Sequence, residues 1–254
     1  MTWRTSQTLS SQPAADARQL LLDLFQEKPF SDQELQTNQT LFMRSGSIAK
    51  ILFVNEIYEL ILNQPGAIFE FGAYLGATSV LFENFRAIHE PYNHLRRIYA
   101  FDTFEGYVKP EEIDEKSEAL MEIIDDKTYT TPQGYEMYLR QVMSAHEKNN
   151  TMSHISKHQV IKGDILETLP RVLENDDSIV IALVYLDIAL YNPTKFAIDK
   201  CLPFMPSGGV IVLDEFGHPD YPGETRAFFE ALASRKYSIR NSRFLRDRTI
   251  VTLF

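Results

Sequence analysis

Cysteine occurs once in the 254 residues, at Cys201, so the chain can form neither an intrachain disulfide nor a multi-cysteine metal cluster. That fits a reducing compartment. Basic residues are also scarce: 25 Lys and Arg face 35 Asp and Glu, a net charge of −10. A phosphate-binding surface wants the opposite sign, which argues against nucleic acid as the main partner and for a cationic ligand. No run of about 18 apolar residues occurs, and Met1–Gln7 carries no apolar signal core. The expectation is a soluble cytoplasmic protein with no membrane partner. Internal repeats and low-complexity tracts are missing as well. What is present is ordinary for a globular enzyme, with 44% hydrophobic and 24% charged residues. A chain of this length is read as one domain able to bury ~70–75% of its unfolded surface without staples.

Residues 1–13 lack periodicity and read as a frayed tail. Helical spacing of Leu20, Leu21, Leu24 and Phe25 predicts a helix over 14–26, and an apolar stripe of Ile48, Ile51, Leu52, Ile57, Leu60 and Ile61 a second one ending at Pro65-Gly66. Residues 1–65 thus form a helical extension. Beyond them, short apolar runs alternate with helices. Strands are predicted over 67–71, 97–102, 159–162, 179–187 and 209–214, with helices over 77–89, 193–204 and near 224–234. Residues 237–244 and 248–253 complete an antiparallel hairpin at the sheet edge. The fold class is α/β: a doubly wound, mostly parallel seven-stranded sheet with N-terminal helices and an insertion after strand two, about 108–158. The acidic start of that insertion, near Glu111–Asp126, reads either as a solvated face or as a mobile lid over the ligand site.

Ligands of such sheets bind where the strands end. Strand one runs into Glu70-Phe71-Gly72-Ala73-Tyr74-Leu75-Gly76-Ala77-Thr78-Ser79, a turn whose glycines let the backbone approach a ligand at a helix N-terminus. Strand two ends in Asp102, strand three in Gly163-Asp164, strand four in Asp187 and strand five in Asp214-Glu215. A single such acid is most simply a helix cap. Acids at every strand end suit a cation better than a phosphate-rich dinucleotide. The dinucleotide fingerprint is also absent, since Asp102 lies 30 residues past Gly72 rather than ~20.

With Phe101-Asp102-Thr103-Phe104-Glu105-Gly106, Lys162-Gly163-Asp164, Leu186-Asp187 through Thr194, Gly209 through Glu215 and Tyr221-Pro222-Gly223-Glu224-Thr225, the pattern resembles the macrocin O-methyltransferase family over roughly residues 42–230. These are class I S-adenosylmethionine-dependent methyltransferases acting on sugars of antibiotics and polysaccharides. The resemblance implies a methyl donor held by Glu70, Gly72, Ala73, Tyr74, Thr78, Ser79, Asp102, Thr103, Phe104, Gly163, Asp164 and Asp187, with Asp102 on the ribose and Asp164 at the adenine edge. It implies a divalent cation, Mg2+ or another, on Asp187, Asp214 and Glu215 that would lower the pKa of an acceptor hydroxyl. The implied acceptor is a sugar or glycoside, and a homo-oligomer is left open. The family's usual second acid after strand four is replaced by Ala189, and Asn192 stands where relatives often have Glu. The proton acceptor is therefore sought at His218, four residues after Asp214, with Asp187 as the other catalytic candidate. Two readings compete: a methyltransferase of the same fold acting on a diol or amine, and a non-catalytic cofactor-binding protein.

Overall fold

The computed structural model describes residues 12–254. Most of the expected tail, 1–13, lies outside the described residues, and its last two are already helical. The described residues fall into two compact units, 12–51 and 52–254, so the second begins earlier than the expected boundary at 65. In the first unit, α1 (Gln12–Gln26) is followed by α2 (Asp32–Thr37) and a 3-10 turn (Gln39–Phe42). α2 starts at a capping box in which Ser31 and Glu34 satisfy each other's amides. Phe42 packs edge-on against Phe25 at 5.3 Å between ring centroids.

α3 (Ser45–Leu60) corrects the sequence reading of its face. Phe53, Val54, Ile57 and Tyr58, with Ile61 just past its end, are fully buried, whereas Ile48, Leu52 and Leu60 are exposed. The helix is apolar nearly all round, so spacing alone does not single out a buried stripe.

The second unit is a seven-stranded sheet in the order β3-β2-β1-β4-β5-β7-β6. The parallel strands are β1 (Ala67–Phe71), β2 (Ile98–Asp102), β3 (His158–Lys162), β4 (Ile181–Leu186) and β5 (Val210–Leu213). β6 (Tyr237–Asn241) and β7 (Thr249–Leu253) form the hairpin, and β7 joins β5 antiparallel. All residues of β1, β4 and β5 are buried, as strands covered on both faces must be. β6, at the edge, is mostly exposed. The crossover helices are α4 (Ala77–His89), α7 (Ile165–Glu174), α8 (Tyr191–Cys201) and α9 (Pro222–Ala231). Strand order reverses between β1 and β4, and at that switch point Gly72 follows β1 with φ +90. A Cβ on Gly72 would stand 2.0 Å from the Asp187 carbonyl oxygen, so glycine is required for the two strand ends to approach.

The insertion is structured. It holds α5 (Glu118–Asp125), started by the Ser117 hydroxyl accepting the Leu120 amide, and α6 (Tyr135–Asn149), and neither helix was expected from the sequence. Its acidic start docks: Asp114 is fully buried, and its Oδ1 accepts the Tyr191 amide at 3.0 Å, capping α8 from a distant part of the chain. Gly223 makes room for it, since a Cβ there would meet the same oxygen at 2.0 Å. Leu120 seals the joint against Ala189, Leu190 and Tyr221. Among the described residues, no helix is long and apolar enough to cross a membrane.

Candidate active site

A cavity of about 250 Å³ opens along the carboxyl edge of the sheet. Strand order arranges its walls in a row: Asp164 after β3, Asp102 after β2, Gly72 after β1, Asp187 after β4 and Asp214-Glu215 after β5. Because β7 is antiparallel, Arg248 at its start arrives beside the end of β5.

Asp102 organises the β1 side. Its Oδ2 accepts the Tyr74 amide at 2.7 Å and its Oδ1 the Phe104 amide at 2.6 Å. Both residues are held at positive φ, 49 and 58, a conformation a non-glycine adopts only when its surroundings impose it. Burial pushes the Asp102 carboxyl up, and the two amides pull it back. Asp164 has the role a lone acid would have, accepting the Leu166 amide at 2.9 Å to cap α7, and it also lines the cavity. Tyr74 and Thr103 line it too. Glu70, Ala73, Thr78, Ser79, Phe104 and Gly163 are not among the lining residues. Glu70 and Ser79 are buried, and the Ser79 hydroxyl donates to Glu70, so that pair supports the turn from behind.

The β4–β5 side is held by side chains. Asp214 is buried, its Oδ1 accepting the Tyr185 hydroxyl at 2.9 Å and the Arg248 Nε. Arg248 also donates to the Asp214 carbonyl at 3.0 Å. The Glu215 amide donates to Glu224, a fully buried acid whose Oε2 has no protein partner. Burial, and after it Asp214, pushes the Glu215 carboxyl up to about 8, with Arg248 opposing. Three hard oxygen donors with more negative charge than one guanidinium balances suit a divalent cation in kind and in charge. A second group of candidate ligands, Glu83, Glu147 and His158, has its ligand atoms within 4.8 Å of one another. That second cluster is already balanced, because Arg86 holds Glu83 at 2.5 Å and Lys157 holds Glu147 at 3.3 Å.

His218 is not among the cavity's lining residues. Its Nδ1 accepts the Asp220 amide at 3.2 Å, and its ring packs 5.2 Å from Tyr221. With Nδ1 an acceptor, the neutral ring carries its proton on Nε2 and presents no lone pair there.

Sequence reading missed Arg248 and three cavity tyrosines, Tyr107, Tyr129 and Tyr221. The signal for Tyr221 was its place at the head of the Tyr221–Thr225 block, and that for Tyr107 its place directly after the Phe101–Gly106 block. Tyr129 and Arg248 carried none. Burial first, then nearby carboxylates including Asp187 and Glu215, hold all three phenols above their ordinary range, so they are neutral hydroxyls.

A mostly parallel sheet of this order, with β7 antiparallel and an acid-lined cleft at its switch point, defines the class I methyltransferase fold. The profile of the macrocin O-methyltransferase (TylF) family matches residues 50–232, and the chain belongs to that family. It is an S-adenosylmethionine-dependent O-methyltransferase. The calicheamicin methyltransferase CalS11 is similar along its whole length, with 30% identity, 99% of this chain and 98% of that chain covered, and a TM-score of 0.89. A second structure of CalS11, apo and described as a TDP-rhamnose 3'-O-methyltransferase of calicheamicin biosynthesis, gives 31%, 96%, 95% and 0.82. The O-methyltransferase NovP shares the fold at 17% identity, with 81% and 80% covered and a TM-score of 0.61. No curated protein sequence matches significantly.

Proposed function

We propose that the enzyme transfers the methyl group of S-adenosylmethionine to a hydroxyl of a sugar, carried on a nucleotide or a glycoside, with a divalent cation on Asp187, Asp214 and Glu215. The observation that carries this reading is the single cavity running from Asp102 to Glu215 across the switch point, in a chain 30% identical to CalS11 over its full length. The donor lies on the β3-β2-β1 side. Asp164 meets the adenine edge, Asp102 uses its remaining lone pairs for the ribose hydroxyls, and the Gly72–Gly76 turn receives the amino-acid end. Glu70, Ala73, Thr78, Ser79, Phe104 and Gly163 shape that side. The acidic surroundings favour the sulfonium charge.

The acceptor lies on the β4–β5 side. A cation such as magnesium, when bound there, lowers the pKa of the acceptor hydroxyl. Arg248 and Tyr185 hold Asp214 in place for it, and Glu224 holds the Glu215 backbone. Asp187, the acid nearest the switch point, takes the proton from the hydroxyl as the oxygen attacks the methyl carbon and the sulfonium leaves as a neutral thioether. Alignment of the two reactants across the switch point supplies the rest of the catalysis. Incubating the protein with methyl-labelled S-adenosylmethionine, magnesium and TDP-rhamnose tests this. Label in the sugar is the expected result, and none in TDP-rhamnose or any glycoside acceptor contradicts the reading.

A further inference from the structure

Tyr107, Tyr129 and Tyr221 reach the cavity from three separate parts of the chain: the loop after β2, the insertion, and the residue before α9. Among the described residues, no hydrogen bond is made by any of the three hydroxyls. Polar groups in a partly desolvated cleft are normally paired, and a set of neutral hydroxyls left over is a set waiting for a ligand's hydroxyls. The carboxylates that act on all three phenols are Asp187 and Glu215, the acids assigned above to the acceptor side.

The ring geometry narrows the ligand. Tyr129 stands at 89° to Tyr107, with centroids 5.8 Å apart, and at 86° to Tyr74, 5.5 Å away. Perpendicular walls make a corner and not a slot, so Tyr129 forms with neither of these rings a parallel pair of faces for a flat aromatic acceptor to enter. A saturated ring, with C–H groups on its faces and hydroxyls on its rim, fits a corner of aromatic walls and phenol hydroxyls. Tyr129 is set in this position from behind: Thr130 bridges to Glu105, and the Thr131 hydroxyl donates to the Phe104 carbonyl at 2.9 Å.

We propose that Tyr107, Tyr129 and Tyr221 form the acceptor seat, and that Tyr129, carried by the insertion, selects saturated polyhydroxylated rings over planar phenols. This rests on the sugar O-methyl transfer proposed above and names the residues that read the sugar.

The test is steady-state kinetics of the full chain with magnesium, S-adenosylmethionine and two acceptor probes, TDP-rhamnose and catechol. Tyr129→Phe is expected to raise the KM for TDP-rhamnose by about two- to twelvefold, the worth of one neutral hydrogen bond, with kcat within about twofold. Its affinity for S-adenosylhomocysteine should match the wild type's. Tyr129→Leu, which removes the wall, is expected to lower the preference for TDP-rhamnose over catechol by about tenfold or more. Wild-type transfer to TDP-rhamnose with an unchanged KM in both Tyr129→Phe and Tyr107→Phe overturns this inference alone. Wild-type transfer to catechol in preference to TDP-rhamnose overturns it as well. No transfer to either probe or to any glycoside overturns the sugar reading and this one with it.

Discussion

The two sides of the cleft are built by different means. On the donor side, Asp102 bonds two backbone amides within 28 residues of itself, and Gly72 is dictated by a backbone oxygen 2.0 Å from where a Cβ would be. On the acceptor side, Asp214 is held by Arg248 from just before β7, Glu215 by Glu224, and Tyr129 arrives from the insertion. One side is a backbone device; the other is a side-chain device drawn from residues 107–248. Such a division lets a family keep its donor while its acceptor changes, because side chains are replaced without rebuilding the strand ends.

Breaking the backbone device should cost most. Gly72→Ala places a Cβ against the Asp187 carbonyl in a left-handed conformation, and an expected loss of about 2–5 kcal/mol would show in denaturant unfolding, with activity abolished. Asp102→Ala comes next. It strands the Tyr74 and Phe104 amides as well as removing the proposed ribose contact, so S-adenosylhomocysteine affinity should fall about tenfold or more by calorimetry.

On the acceptor side, the effects are smaller and separable. Asp114→Ala removes the cap supplied to α8 and should cost about 1 kcal/mol, with faster hydrogen exchange over 110–126 and donor affinity unchanged. Equal exchange in the variant and the wild type would mean the insertion is not latched there.

The pH dependence of stability probes the carboxylates. Glu215 is pushed up to about 8 by burial and then by Asp214. Between its ordinary value near 4.5 and about 8, the folded state keeps a proton that the unfolded chain releases. Stability of chelator-treated protein should therefore fall as pH rises across that window and level off above it. In Glu215→Gln the slope should be shallower, and magnesium should raise the wild-type Tm most at the high-pH end. The smallest effect is expected at His218, whose Nδ1 is engaged by Asp220: His218→Ala should change kcat by less than about fivefold. A loss of 10²-fold or more, the usual worth of a general base, would show that the loop turns its ring into the cleft.

How much of this was legible in the sequence follows the same division. β1 and α4 could be bounded correctly from the apolar run, the Gly72–Gly76 turn and the helix spacing, and the acids at the strand ends do line one cleft. These features are local, so their signals lie within a few residues. The insertion's helices were hidden because α6 buries only Leu139, Met143 and Glu147, a narrow stripe that includes a charge. Arg248 and Tyr129 could not be read because nothing near them in sequence announces the cleft. Only the pairing of β7 with β5 and the docking of 130–131 on the 104–105 turn bring them there. His218 shows the opposite case: proximity in sequence to Asp214 did not become a place in the cavity wall.

Calorimetric titration of S-adenosylhomocysteine into Asp102→Ala and Glu215→Ala, alongside methyl transfer by both, tests the central claim of a divided cleft. Asp102→Ala should lose donor affinity by about tenfold or more, while Glu215→Ala binds within about twofold of wild type yet transfers no methyl group. Equal loss of donor affinity in the two variants, or full methyl transfer by Glu215→Ala, would contradict it.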